Sequence, residues 1–254
     1  MLEDVICFYE GDVEGNDPFY SDEKAYVTWN SLLFPEIDTE VARSEEGRRL
    51  NPFFLDDPSR IIDLTVSLYR GMQKTKEDIH VYRVERLVDY QLFKKEGKFC
   101  SFISTSTSGF LKAYQDKKDL VLMEILIPKG TKVLDFSDVL KKYKKKEEKE
   151  ILLPPYLSFL SKQLEMNENI LSIRDRNNKV PSVYCSIEVK EPIYFEKIIS
   201  IDIDECIQAS RRVYECLNHK GDLEEKDVEK YLLYKRYIQN EVMKRMRDID
   251  HEDK

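Results

Sequence analysis

Residues 120–127 read Leu-Val-Leu-Met-Glu-Ile-Leu-Ile, the most hydrophobic run in the chain. A run of this length with almost no polar alternation suits a strand covered on both faces, so it reads as the central strand of a sheet. Other β-prone segments surround it in sequence. Ile79-His80-Val81-Tyr82 precedes it, and Phe99 to Ser104 runs into a Ser/Thr cluster. After the turn Pro128-Lys129-Gly130 come Thr131 to Phe136, then Glu150 to Leu153, Val183 to Val189 and Ile193 to Ile203. The middle of the chain is therefore strand-rich, with six or more strands.

The two ends have a different texture. Residues 1–20 are acidic, carry Gly11, Gly15 and Pro18, and read as a loop or arm. Residues 21–75 read as helical, with Trp29, Leu32 and Leu33 at helical spacing and again Ile61, Ile62, Val66 and Tyr69. Pro35, Pro52 and Pro58 divide them, and Asp57-Pro58 suits an N-cap followed by the first helical turn. Arg86 to Glu96 reads as a helix ended by Gly97. Residues 137–149 read as a charged loop or helix, and a helical or loop insertion is expected after Pro154-Pro155. Residues 205–218 and 222–248 read as helices, the second with a capping box at Asp222 and Glu225 and an apolar stripe of Tyr231, Tyr234, Ile238 and Val242. The sum is α+β: an N-terminal arm and helical lobe over 1–75, a strand-rich core over 76–204 and a C-terminal helical tail over 205–254.

Composition narrows the function classes. The 254 residues are 35% charged with a net charge of −8, which disfavours a general nucleic-acid binder, since those carry a basic field. Fifteen Tyr and twelve Phe supply bulky core material. Cys7, Cys100, Cys185, Cys206 and Cys216 are odd in number and form no CxxC, which reads as reduced thiols in a cytosolic protein. With only His80, His219 and His251 beside them, no zinc ligand set is evident, and no metal is expected. No apolar run approaches the ~20 residues of a membrane span. The first residues, Met1-Leu2-Glu3-Asp4-Val5-Ile6-Cys7, lack the pattern of a signal peptide, so secretion would need another route.

Three short motifs carry chemistry. Val81-Tyr82-Arg83 puts an arginine at a strand end. Phe102-Ile103-Ser104-Thr105-Ser106 ends a strand in hydroxyls. Glu148-Lys149-Glu150 opens the apolar run Ile151-Leu152-Leu153. On a strand, residues two apart share a face, so Glu148 and Glu150 would look into one cleft while the run behind them is buried. Paired carboxylates suit chemistry at a cationic centre, one stabilising positive charge and the other handling a proton. Singly these signals are weak: a Lys/Glu run is usually a solvated face, and Ser-Thr-Ser commonly caps a helix. Their order is the informative part, with 21 residues from Arg83 to Ser104 and 46 from Ser104 to Glu150.

This order resembles the mono-ADP-ribosyltransferases of the arginine–serine–glutamate class, over roughly residues 76–200. The resemblance implies a split β-sandwich core with a cleft for NAD as substrate. It implies Glu150 beside the ribose where positive charge develops, Ser104 orienting Glu150, and Arg83 on phosphate or ribose oxygens. Val84 follows Arg83 where the family commonly has glycine. Thr105 and Ser106 would shape the turn or touch the ribose. Phe110 falls where the family often puts an aromatic over nicotinamide, although a core Phe on a helix from Gly109 is the plainer reading. Glu148 would face the acceptor, since Glu at this place accompanies arginine acceptors in the family. Tyr69-Arg70-Gly71 is a rival to Tyr82-Arg83-Val84, but Tyr69 ends a helical pattern and Tyr82 a β-like one. Lys76 to Arg83 also matches the family's entry to that strand.

The resemblance implies transfer of ADP-ribose from NAD to an arginine of a target protein, met through the loop 137–149. There Tyr143 could pack on the target or merely cover Leu140, and Lys141, Lys142, Lys144, Lys145 and Lys146 could meet an acidic target or nucleic acid, although a solvated flank is the plainer reading. A toxin or effector delivered without a signal peptide, or a cytoplasmic enzyme, fits equally, and an inhibitor or antitoxin is a conceivable partner. Three other readings stay open: a NAD glycohydrolase with water as acceptor, transfer to nucleic acid, and a catalytically silent binding module.

Overall fold

The structure, a computed structural model, describes residues 2–10, 25–37, 52–107, 119–136, 150–165, 183–194, 200–219 and 221–252. They form two compact units, one of Met1–Gly71 with Tyr194–Lys254 and one of Met72–Ile193. The mixture of sheet and helices is α+β, as the sequence predicts. No helix among the described residues is long and apolar enough to cross a membrane.

The first unit is helical: α1 (Leu2–Glu10), α2 (Ala25–Leu33), α3 (Pro58–Gly71), α5 (Ile203–His219) and α6 (Glu225–Glu252). The cap expected at Asp57 forms: its Oδ1 accepts the Ser59 N–H at 3.0 Å, so α3 starts at Pro58. Trp29 is fully buried and donates its indole N–H to Thr65 Oγ1 at 2.8 Å. Tyr9 packs edge-on against that indole at 5.2 Å. The stripe Tyr231, Tyr234, Ile238 and Val242 is buried along α6.

Three local expectations change here. Residues 2–10, read from the sequence as part of a loop or arm, form helix α1, whose Ile6, Phe8 and Tyr9 are buried. The strand expected over Ile193 to Ile203 is not seen in its described part: residues 193, 194 and 200–202 lie outside regular elements, α5 begins at Ile203, and residues 195–199 lie outside the described residues. The Asp202 carboxylate accepts the Glu205 N–H at 3.0 Å, and this cap turns a β-prone sequence into a helix start. The helix expected from 222 begins at Glu225, so Asp222 is not its N-cap. Its acidic first turn is held instead by Asp227, which takes a two-pronged bond from Arg212 of α5, both contacts at 2.7 Å. The guanidinium holds the Asp227 carboxyl below the usual carboxylate range.

The second unit is built on an eight-stranded sheet. Its strands are β1 (Gln73–Lys74), β2 (Ile79–Arg86), β3 (Ile103–Ser106), β4 (Leu120–Ile127), β5 (Lys132–Asp135), β6 (Glu150–Leu153), β7 (Leu157–Leu164) and β8 (Val183–Pro192). The spatial order is β1-β5-β6-β3-β2-β4-β8-β7. β4 is central, antiparallel to β2 and parallel to β8. Helix α4 (Leu87–Glu96) follows β2 and ends at Gly97, whose φ of 67° is the left-handed cap that glycine adopts without strain.

β2 and β4 pair along eight residues, whereas among the described residues β2 and β3 meet at a single register pair, Tyr82 with Ser106. The sheet thus has two halves, β1-β5-β6-β3 and β2-β4-β8-β7, joined at one narrow seam. Residues 157–164 form a strand where the sequence reading expects helix or loop. The reason lies in tertiary pairing: β7 lies against β8, and Phe159 stacks 4.8 Å from Phe99, which in turn meets Phe93 edge-on at 5.4 Å.

The turn into β7 is strained. Tyr156 has φ of 66°, a left-handed conformation that costs a non-glycine residue roughly 1–2 kcal/mol. Its N–H donates to Phe99 O at 2.7 Å and its carbonyl accepts the Ile193 N–H at 3.0 Å, which hold the conformation. Its ring is 1% exposed and its hydroxyl has no hydrogen-bond partner among the described residues. Burial pushes that hydroxyl's pKa well above the tyrosine range. Tyr156→Phe removes an unsatisfied buried group, so it should leave stability unchanged or raise it by about 1 kcal/mol. Tyr156→Ala should cost about 3–5 kcal/mol by cavity formation. Urea denaturation decides it: a clear loss in the Phe variant would mean that the hydroxyl is bonded.

Candidate functional site

The seam between β2 and β3 collects the chemistry. β6 begins at Glu150, and the residues behind it, Ile151, Leu152 and Leu153, are 4%, 0% and 0% exposed. Those three anchor the strand, while Glu150 at its head is half-buried. β3 runs antiparallel to β6 with Ser106 opposite Glu150 and Ser104 opposite Leu152. Residues opposite one another in such a ladder share a face, so Ser104, Ser106 and Glu150 look the same way. The Ser104 hydroxyl donates to Glu150 Oε1 in a short contact.

Thr105 points the other way, as strand alternation requires. It is 4% exposed, and its hydroxyl donates to the Ile151 carbonyl at 2.7 Å. It ties β3 to β6 from behind the face that carries Glu150. Ser106 sits at the seam, opposite both Tyr82 and Glu150.

Arg83 lies on β2, next in sequence to Tyr82, the residue opposite Ser106. Its Nη1 donates to the Ser104 carbonyl at 2.7 Å, so it bridges the two halves of the sheet where the ladder itself is thin. Its Nε and Nη2 reach Glu85 Oε2 at 2.7 and 2.6 Å. Arg83 and Glu150 therefore both contact Ser104, one through its carbonyl and the other through its hydroxyl. Val84, next in sequence, is 7% exposed and pairs with Leu122, with its side chain on the face opposite Arg83. Arg70, the rival arginine, lies on α3 of the helical unit. There it lines a cavity of about 430 Å³ together with Asp63, Arg245 and Glu252.

Three of the sequence-predicted residues thus meet: Arg83, Ser104 and Glu150. Glu148, Phe110, Tyr143 and the loop 137–149 with its lysines lie outside the described residues. Sequence reasoning missed Glu85, although its signal was present: Arg83-x-Glu85 on a strand puts both charges on one face. Among the described residues no group of three or more His, Cys, Asp and Glu side chains is placed to hold a metal.

The arrangement combines a half-buried carboxylate held by a hydroxyl with a neighbouring guanidinium that is 19% exposed. A guanidinium fork suits phosphate or hydroxyl oxygens. A fixed carboxylate suits a developing positive charge. Both are charges that a dinucleotide with a cationic leaving group would meet.

No protein-family model and no curated protein matches the sequence. Solved structures give distant likenesses. An ADP-ribosyltransferase from Clostridium botulinum is 14% identical over 75% of this chain and 86% of its own, with a TM-score of 0.41. The catalytic domain of VahC from Aeromonas hydrophila is 15% identical over 74% and 97%, with a TM-score of 0.46. A protein from S. aureus, solved with NAD, is 14% identical over 65% and 87%, with a TM-score of 0.37.

The Thr105 hydroxyl gives a test of the site's supporting side. Thr105→Val keeps the side chain's shape but leaves the Ile151 carbonyl without that donor. It should lower stability by about 1–2 kcal/mol in chemical denaturation. An unchanged midpoint would mean that β3 and β6 do not depend on this bond.

Proposed function

We propose that this protein is a NAD-dependent mono-ADP-ribosyltransferase that modifies an arginine of another protein and releases nicotinamide. The observation that carries the reading is the hydrogen bond from Ser104 to Glu150 at the head of β6, with Arg83 on the same serine. The order of Arg83, Ser104-Thr105-Ser106 and Glu148-Lys149-Glu150 in the sequence supports it.

The residues fit the substrate. Arg83 would hold phosphate or ribose oxygens of NAD. Glu150 would lie near the ribose as the bond from C1′ to the nicotinamide nitrogen breaks. The electron pair goes to the nicotinamide, already a cationic leaving group, so no acid is required. The carboxylate stabilises the charge left on the sugar, and Ser104 keeps it in place at no cost in reorganisation. Glu148 would pair with the incoming guanidinium and take its proton as nitrogen bonds to C1′. Such help is needed because free guanidinium, with a pKa above ~12, is a poor nucleophile. The acceptor protein would meet the segment 137–149 that precedes Glu150.

Two substitutions test these roles. Purified protein with NAD should release nicotinamide, and Glu150→Ala should cut the rate by about a hundredfold or more. Equal rates in both proteins would sink the assignment. Glu148→Gln should leave NAD hydrolysis intact and abolish arginine modification, read by mass spectrometry of lysate incubated with labelled NAD. Surviving arginine transfer would refute the role of Glu148. Free ADP-ribose without labelled protein would point to a glycohydrolase, and labelled RNA or DNA to a nucleic-acid acceptor.

A further inference from the structure

Glu85 is a buried carboxylate that the chemistry described so far does not use. Its side chain is 5% exposed. It lies on β2 two residues after Arg83, so the strand puts the two side chains on one face. Its Oε2 accepts from Arg83 Nε at 2.7 Å and lies 2.6 Å from Nη2. Its Oε1 accepts the backbone N–H of Arg86 at 3.1 Å, at the point where β2 turns into α4. The neighbouring cation, Arg86, is engaged elsewhere, on Asp89.

Glu85 is thus fixed by the backbone, and Arg83 is fixed by Glu85 on one side and by the Ser104 carbonyl, 2.7 Å from Nη1, on the other. An arginine side chain in water samples many rotamers, and ordering it on binding costs on the order of 1–2 kcal/mol. Here the guanidinium plane is set before any ligand arrives. A buried ion pair is a poor device for stability alone, since well-packed apolar residues do as well. What it supplies at this seam is a fixed orientation.

We propose that Glu85 is the positioning residue for Arg83, holding its guanidinium in the orientation that binds NAD. The proposal rests on the reading of NAD as substrate. Glu85 acts through Arg83 and takes no part in breaking the glycosidic bond, so its loss should weaken substrate binding and spare turnover.

The experiment measures nicotinamide release against NAD concentration, with melting temperature as a check, for the wild type, Glu85→Gln, Glu85→Asp, Arg83→Lys and the double variant Arg83→Lys/Glu85→Gln. Glu85→Gln should raise KM about 10- to 100-fold, the worth of one charge-assisted hydrogen bond, with kcat changed less than about threefold. Glu85→Asp, which keeps the charge, should recover part of that loss. In the Arg83→Lys background, Glu85→Gln should add little, because both changes act on one contact. Should the Gln variant fail to fold, the Asp variant carries the same KM reading. Wild-type activity with unchanged KM in the Glu85 variants would overturn the positioning role and leave the functional reading standing. A drop in kcat at constant KM would do the same. A wild type that neither binds nor cleaves NAD would overturn both.

Discussion

Strand β4 is apolar on both faces, and much of the sheet follows from that. Seven of its eight residues are apolar, and Val121, Leu122, Met123, Ile125 and Ile127 are fully buried. Such a strand at an edge would leave a row of backbone donors and acceptors open and an apolar ribbon in water. It is stable only with a ladder on each side, and it has β2 antiparallel on one and β8 parallel on the other. β8 in turn carries β7. One hydrophobic run thereby brings together segments that are more than a hundred residues apart in sequence.

The candidate site lies where this well-laddered half meets the other one. β2 is held along its length by β4 but, among the described residues, meets β3 at one residue pair. A thin junction leaves side chains room to do what the ladder does not. Arg83 crosses it to the Ser104 carbonyl, and Ser104 reaches on to Glu150 at the head of β6. The apolar residues after Glu150 and the Thr105 hydroxyl behind it keep that strand still. A carboxylate held this way needs little rearrangement when charge develops beside it, which is the condition for electrostatic catalysis.

The sequence made the strands legible wherever burial was local and strong. The β4 run, the apolar tail of β6 and the start of β2 at Ile79-His80-Val81-Tyr82 all declared themselves by composition and alternation, but β2 runs on to Arg86, so Arg83 lies inside the strand and not at its end. The caps at Asp57 and Gly97 declared themselves by residue type. Where the reading failed, longer-range forces had decided. Residues 157–164 are a strand because β8 and the Phe99 ring are there to receive them, and nothing local announces either. Just before Ile203 the deciding contact is local instead: the Asp202 cap starts α5 in a sequence that reads as β-prone. At the site, Arg83, Ser104 and Glu150 were visible as residue types in a certain order. Glu85 went unremarked because, in one dimension, an Arg-x-Glu pair reads as an ordinary surface charge pattern.

By itself the sequence determined which segments must be buried and which carry charge, because hydrophobic periodicity and residue chemistry are local properties. It also determined the order of arginine, hydroxyls and carboxylates along the chain. Only the tertiary structure decided that a serine 21 residues from one of these and 46 from another should touch both. Contact across such separations depends on strand order and register, which emerge when the sheet closes around β4. It likewise decided that Glu85 lies buried against Arg83, since a carboxylate's surroundings are a property of the folded chain.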